Sequence, residues 1–205
     1  MYALVENNEI IKYFSYPKGF VLNNNQYSAD VFTKWSVAEK EAIGIYEVVY
    51  DNSNFKDEKW YINTNQSYAF ADGTVTASYG TATPKAHADT LWTQQDSDDG
   101  DLPDDKEVGD VKVEGLKTKL IRTVKAQAAG ILQDTDWYIV RKADAGTAVP
   151  SAITTYRAAV RTKCAEMETA ITNAADTPAL ETLYTHTTTD GVQSRPLGQL
   201  PTLES

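Results

Sequence analysis

A chain of 205 residues with 41% hydrophobic side chains reads as a folded protein with material for one large domain or two small ones. Its 19 basic and 29 acidic residues give a net charge of −10, and the basic ones form no stripe that could displace counterions from phosphates, so nucleic acid is not an expected partner. One cysteine, Cys164, excludes an internal disulfide, and with only two histidines no zinc site assembles without several carboxylates; no metal or cofactor is expected.

The opening MYALVENNEI is interrupted by polar residues where a signal peptide needs an apolar core. No apolar run approaches the roughly 18–20 residues of a membrane span. The expectation is a soluble protein made in a cytoplasm, with no membrane partner.

Residues 1–50 read as a small β-rich module. Tyr2, Leu4, Ile10 and Tyr13 alternate imperfectly around a Glu6-Asn7-Asn8-Glu9 turn, which predicts a hairpin. A loop with Pro17, Gly19 and the Asn23-Asn24-Asn25 run follows. Ser36 and Glu39 are spaced as a capping box for a short helix that Gly44 ends, and residues 45–50 lead out as a strand.

Residues 51–93 predict a short antiparallel meander. Its segments 59–63, 67–70 and 74–79 are rich in aromatic and β-branched residues, with an Asp72-Gly73 turn between the last two. Strands this short cannot bury a face alone and must pack on another element or chain. Residues 94–110 read as an acidic linker, because a run of Asp with Gly100 and Pro103 cannot build a core and repels itself. The main organisational boundary is placed there.

Residues 111–185 predict a helical hairpin. Val113, Leu116, Leu120, Val124, Ala128, Ile131 and Leu132 recur at helical spacing, with Gly130 weakening the far end. Trp137 to Val140 form a local apolar patch, and residues 144–150 form the turn. Ile153, Tyr156, Val160, Cys164, Met167 and Ile171 then mark one face of a second helix. Helices joined this way pack antiparallel, and Cys164 is placed in their core. The stripe could close on its own hairpin or on a second chain. A short helical turn restarts at Thr177, and residues 186–205 show no periodicity, predicting a tail that is disordered alone and extended on a partner. The fold class is therefore α+β: antiparallel β-rich modules, an acidic linker and a C-terminal antiparallel helical hairpin.

No motif carries catalysis. The glycines form neither GxxxxGK nor GxGxxG, there is no GxSxG elbow, and His87 and His186 lie far apart in a loop and a tail. Aligning Gly100 with the sixth position of a calcium loop puts Gln95, Ser97 and Asp99 at the first, third and fifth, but Lys106 at the twelfth, where a carboxylate is required. Asp98, Asp99 and Asp101 could make a looser cation site; a solvated acidic loop is the simpler reading. An enzyme is not expected.

Two groups of residues resemble a known family. The first is MYALVENNEIIKY with Trp35-Ser36, Glu39-Lys40, Ile43-Gly44-Ile45-Tyr46 and Val48. The second is Leu132-Gln133-Asp134-Thr135-Asp136-Trp137-Tyr138, then Arg141-Lys142, Val149-Pro150, Ile153, Tyr156-Arg157 and Val160-Arg161. Together they resemble the tail-fibre assembly and tail-fibre-associated proteins of bacteriophages, over about a third of the chain. The middle, from the aromatic meander to the acidic stretch, departs from that pattern.

The resemblance implies a virion structural protein of the tail or baseplate. It would be an adaptor or fibre-associated subunit, assembled in the host cytoplasm, with other tail proteins or further copies of itself as partners. A tail-fibre assembly chaperone is the alternative. A third reading is a carbohydrate-binding module for the host surface, with Trp60, Tyr61, Tyr68, Tyr79 and Trp92 as its platform. The interaction candidates are Trp137, Tyr156, Arg157, Trp60 and Tyr61. At the second signature, Trp137 is expected to cover the open end of the hairpin with Tyr156 and Arg157 near its indole face.

Overall fold

A computed structural model describes residues 1–203 and shows an α+β protein with two compact units, Met1–Thr83 and Pro84–Ser205. The boundary lies ahead of the acidic stretch rather than within it.

In the first unit, β1 (Tyr2–Glu6) and β2 (Glu9–Phe14) form the expected hairpin, with Asn7 and Asn8 both at positive φ in the turn. The segment expected as a loop holds a second hairpin, β3 (Phe20–Leu22) and β4 (Asn25–Tyr27), turned by Asn23 and Asn24 at positive φ. Two short helices follow, α1 (Asp30–Thr33) and α2 (Val37–Glu41). The Ser36–Glu39 capping box forms as expected. Gly44 then takes φ +79°, and a Cβ there would stand 2.5 Å from the Val5 carbonyl oxygen, so only glycine lets the chain leave α2 alongside β1.

The strand that leaves, β5 (Ile45–Asp51), pairs antiparallel with β1. After the two-residue β6 (Tyr61–Ile62) come β7 (Gln66–Ala71) and β8 (Thr74–Tyr79), a hairpin on the Asp72–Gly73 turn. The 51–93 segment is not a module by itself. β8 lies parallel to β5, giving one five-stranded sheet in the order β2-β1-β5-β8-β7. The strands need a larger sheet to bury a face, and β5 provides it.

Both faces of the sheet centre are buried, which is why the alternation along β1 is imperfect. Leu4 and Ile45 join Phe14, Phe20, Val31 and Phe32 in one cluster, under β3, β4 and the short helices. Ala3, Val5, Val48, Val75 and Ala77 form a second cluster, flanked by Tyr46, Tyr68 and Phe70. The sheet curls around this second cluster. Tyr13 of β2 and Tyr68 of β7 belong to opposite edge strands, yet their rings are 4.9 Å apart.

The two-residue β9 (Thr83–Pro84) falls at the boundary, and in the second unit β10 (Thr90–Leu91) pairs antiparallel with β11 (Val111–Val113). Residues 111–113 are thus strand and not the start of the helix; two β-branched valines suit a strand, and helix begins only after Gly115. The acidic stretch between these strands is ordered, contrary to the expected linker. It opens as α3 (Gln94–Asp98), where Thr93 and Asp96 form a reciprocal capping box and Asp96 also pairs with Lys112.

The helical region has three helices where two were expected: α4 (Leu116–Gln133), α5 (Asp136–Ala145) and α6 (Ser151–Asn173). The stripe closes within the chain. Leu120, Val124 and Ala128 of α4 are buried, as are Ile153, Val160, Cys164, Met167 and Ile171 of α6. Lys117 reaches the Thr172 carbonyl at 2.8 Å and Lys125 meets Glu168 at 3.0 Å, fixing an antiparallel register. Tyr156 is only half-buried; its neighbour Arg157 turns inward.

The start of α4 has no capping side chain of its own. Residues 85–89 supply what is missing: Leu116 N–H donates to the Ala86 carbonyl, Lys117 N–H to the His87 carbonyl, and Gly115 N–H to an Asp89 carboxylate oxygen at 2.7 Å. Thr118 Oγ1 donates to the other oxygen at 2.7 Å. The approach is close enough that a Cβ at Gly115 would lie 2.3 Å from the Ala88 carbonyl oxygen. The same strap holds α7 (Thr177–Tyr184), because the buried Thr177 hydroxyl donates to the Lys85 carbonyl at 2.6 Å.

Nor is the C-terminal segment structureless. β12 (Thr187–Thr189) and β13 (Val192–Ser194) form a hairpin on Asp190 and Gly191, both at positive φ. Beyond it Leu197 is 2% exposed, its N–H bonded to the Leu183 carbonyl at 3.0 Å. The last two residues of the expected tail, 204 and 205, lie outside the described residues.

Candidate functional site

The second signature folds into the corner where α4 ends and α5 begins. Thr135 interrupts the helix at φ −114°, ψ 3° and is 2% exposed, so its polar atoms need internal partners. Its hydroxyl donates to the Leu132 carbonyl at 2.9 Å and accepts from Arg157 Nη1 at 2.6 Å. The same Nη1 donates to the Leu132 carbonyl at 2.7 Å, and Nη2 pairs with Asp136 at 2.8 Å. One guanidinium thereby satisfies a helix C-terminal carbonyl and pairs with an acid in the next helix's first turn.

Arg157 is consequently a buried internal tie and not a surface for a partner. Nor does it meet the indole of Trp137, as the expected corner required. That place is taken by Arg141, one turn along α5, whose guanidinium lies 4.6 Å from the Trp137 ring and 5.5 Å from the Tyr138 ring. Spacing alone did not separate the two arginines. A signal was available: Arg157 sits within the apolar stripe of α6 and must turn inward with it.

Trp137 does not cover the hairpin. It is 50% exposed, with Ile139 and Val140 exposed beside it, and none of the ten residues of α5 is buried. The half-buried residues of α5 are Tyr138 and Arg141, on one face. Ile139, Val140 and Ala143 point the other way. This helix turns its polar guanidinium toward the protein and its aliphatic residues toward solvent, the reverse of an ordinary surface helix. Tyr156, half-buried at the edge of the α6 stripe, lines an open groove of about 630 Å³ with Thr155, Ala159, Pro201 and Leu203. A second groove of about 420 Å³, mostly apolar, lies among Ile131, Met167, Leu200 and Arg195.

The aromatic residues considered as a sugar platform are largely engaged. Trp60 is 3% exposed, with the Lys59 ammonium 4.4 Å from its ring. Burial removes it as an interaction candidate, and Tyr61 beside it is half-buried in β6. Tyr68 packs on the inner cluster, Tyr79 meets Phe55 at 5.0 Å, and Trp92 lies under the Lys112 ammonium at 4.3 Å.

Asp96 is the most perturbed acid. Its hydrogen bond from Lys112, with those from the Thr93 side chain and backbone, lowers its pKa from 3.8 to about 2. Asp89 is lowered by the Gly115 N–H and then by the Thr118 hydroxyl. Both acids are explained by the structure they hold. Asp98 and Asp99 accept from the Gln94 and Gln95 side chains along α3. Among the described residues no cluster of three or more His, Cys, Asp or Glu could hold a metal ion, and no helix is long and apolar enough to cross a membrane.

Sequence reasoning did not find Asp89. The clue was a glycine at the start of a long helix with no Ser, Thr, Asp or Asn to cap it, which requires acceptors from elsewhere. Comparison with known proteins finds no matching family model, no similar curated protein and no similar solved structure.

Proposed function

We propose that this chain is a structural part of a bacteriophage tail or baseplate, an adaptor or fibre-associated subunit that acts by protein–protein interaction and not by catalysis. One observation carries the interaction part: α5 holds Trp137, Ile139 and Val140 in solvent and buries none of its ten residues. Isolated helices shorter than about 12–15 residues are marginal in water. A helix of this length with its apolar side outward is the form of an element awaiting a partner.

The phage setting is supported by the resemblance, whose second signature supplies this corner: Thr135, Asp136, Trp137, Arg141 and Arg157 all belong to it. Under this reading the chain is assembled in the host cytoplasm and leaves with the virion. The glycan reading loses its centrepiece because Trp60 is buried.

Quantitative mass spectrometry of purified particles is the test. Several copies per particle are expected. Absence from intact particles, with the chain found instead on free fibre protein in infected cells, would replace the structural reading with an assembly chaperone.

A further inference from the structure

We propose that the first unit binds a neutral saccharide in a polar concavity between its two N-terminal hairpins, held by the side-chain amides of Asn7, Asn23 and Asn25 and the carboxylate of Glu6. The inference is independent of the tail reading, and the site is separate from the aromatic residues of the 51–93 segment.

The concavity, of about 400 Å³, lies where three stretches of backbone meet. Glu6 and Asn7 enter the β1–β2 turn, Asn23 and Asn25 belong to the β3–β4 hairpin, and Ile43 and Gly44 form the exit from α2. These walls are fixed. The Glu6–Glu9 and Leu22–Asn25 pairs close the two hairpin turns, and Val5 N–H donates to the Gly44 carbonyl at 2.8 Å. Leu22, Tyr27 and Ile43 pack against the inner cluster of this unit and give the concavity an apolar part. Tyr27 is held in place by stacking on Phe20 at 5.2 Å and by an edge contact with Trp35 at 6.0 Å. A preformed site of this size falls among small-ligand pockets, which span roughly 300–1,000 Å³.

The chemistry of the lining selects the ligand. Among the described residues, the side chains of Glu6, Asn7, Asn23 and Asn25 make no hydrogen bond or ion pair within the chain, so their polar atoms are available. No Lys or Arg lines the concavity and its one charge is Glu6, in a chain of net charge −10, so an anion is repelled. A hard cation needs six to eight oxygens, and one carboxylate does not supply enough charge to replace its water. A wholly apolar ligand would strip water from the amides and give nothing back. A neutral ligand with many hydroxyls meets none of these objections. Each amide both donates and accepts, as does each hydroxyl, and the carboxylate accepts from two more. The C–H faces of a sugar ring then lie against Leu22, Ile43 and the Tyr27 ring. These bonds replace bonds to water in an open site, so the affinity is modest, with a Kd of about 1–10 mM for one sugar unit.

The test is a titration of the full, isotopically labelled chain, followed by ¹⁵N–¹H correlation spectra. The probes are methyl β-glucoside, methyl β-galactoside and N-acetylglucosamine, each to about 50 mM. At least one should give saturable shifts at the side-chain amides of Asn7, Asn23 and Asn25. Asn25→Ala, at an exposed strand position, should weaken that binding at least about fivefold, the loss of one net hydrogen bond. Gln26→Ala, on the opposite face of the same strand, should leave it unchanged. No saturable shift with any of the three sugars would overturn the proposal, as would shifts centred outside these turns or equal binding by Asn25→Ala. Saturation by calcium chloride at about 10 mM without a response to sugar would assign the groups to a cation and overturn it too.

Discussion

Arg157 Nη1 donates to the Leu132 carbonyl at 2.7 Å across 25 positions of sequence, so the end of α4 is held by the second turn of α6. The α4–α5 corner depends on this bond more than on the ion pair that accompanies it, since the carbonyl and the Thr135 hydroxyl are enclosed while the Asp136 side chain is 54% exposed.

Replacing Arg157 with Met should therefore cost about 2–3 kcal/mol, because it removes two hydrogen bonds from a charged donor, to the Leu132 carbonyl and the Thr135 hydroxyl, at an enclosed site. Asp136→Asn should cost less than about 1 kcal/mol, as expected of a solvent-screened pair. Urea denaturation of both variants checks the ordering. Equal losses would mean that the ion pair dominates.

At the other end of α4, Gly115→Ala should destabilise by about 1–3 kcal/mol, since its Cβ has no room beside the Ala88 carbonyl. Asp89→Asn should lower Tm as well, by removing one of the two charged acceptor oxygens. The two changes disrupt one contact, so the double variant should fall short of the sum. Thermal denaturation followed by circular dichroism measures all three.

Acid should unfold the second unit through its lowered carboxylates. The sign follows from linkage: an acid whose folded pKa lies below its unfolded value adds stability above the unfolded pKa, and loses it as pH falls through the folded one. For Asp96 that window runs from 3.8 down to about 2. Stability should hold from neutral pH to about 5 and then decline, with a shallower slope in Asp96→Asn. An unchanged slope would place the linkage on other acids.

Leu197→Ala should cost about 2–4 kcal/mol, the loss expected for a buried leucine and not for a residue in a loose tail. Urea denaturation again reads the difference; a variant as stable as the wild type would return this segment to the disordered reading.

The thiol of Cys164 should resist alkylation in the folded chain. Burial pushes its pKa up, and the neighbouring Glu168 carboxylate adds to the shift. Labelling with a maleimide should be slow in buffer and fast in denaturant. Fast labelling in both would place the sulfur at the surface.

Hairpin turns show what could be read in advance. The Asn7–Asn8, Asn23–Asn24, Asp72–Gly73 and Asp190–Gly191 pairs all put two successive residues at positive φ. The first and third were legible because strands of five and six residues flank them. The second and fourth were not, because three-residue strands such as Thr187–Thr189 carry no alternation to detect. The α6 stripe was legible for the opposite reason, being six turns of one repeating pattern. Long-range satisfaction was the part hidden from sequence. Nothing local to Val111, Asp89 or Asp96 shows that a strand partner, a helix start or Lys112 awaits it across the fold. At the corner, the residue types were found but their partners were exchanged, because spacing in the chain does not say which arginine meets the indole; only the place of Arg157 within the α6 stripe marks it as the inward one.

The approach of Tyr13 to Tyr68 has a consequence for crowding. A sheet with two open edges offers each neighbour a row of unpaired backbone groups, and at high local concentration such rows join indiscriminately. Here the edge strands bend toward one another and their aromatic side chains stand across the gap. Strand-to-strand recruitment is discouraged, and association is left to surfaces whose side chains can choose among neighbours. At high concentration the sheet can in this way remain discrete, its edges closed to pairing by side chains and not by further backbone.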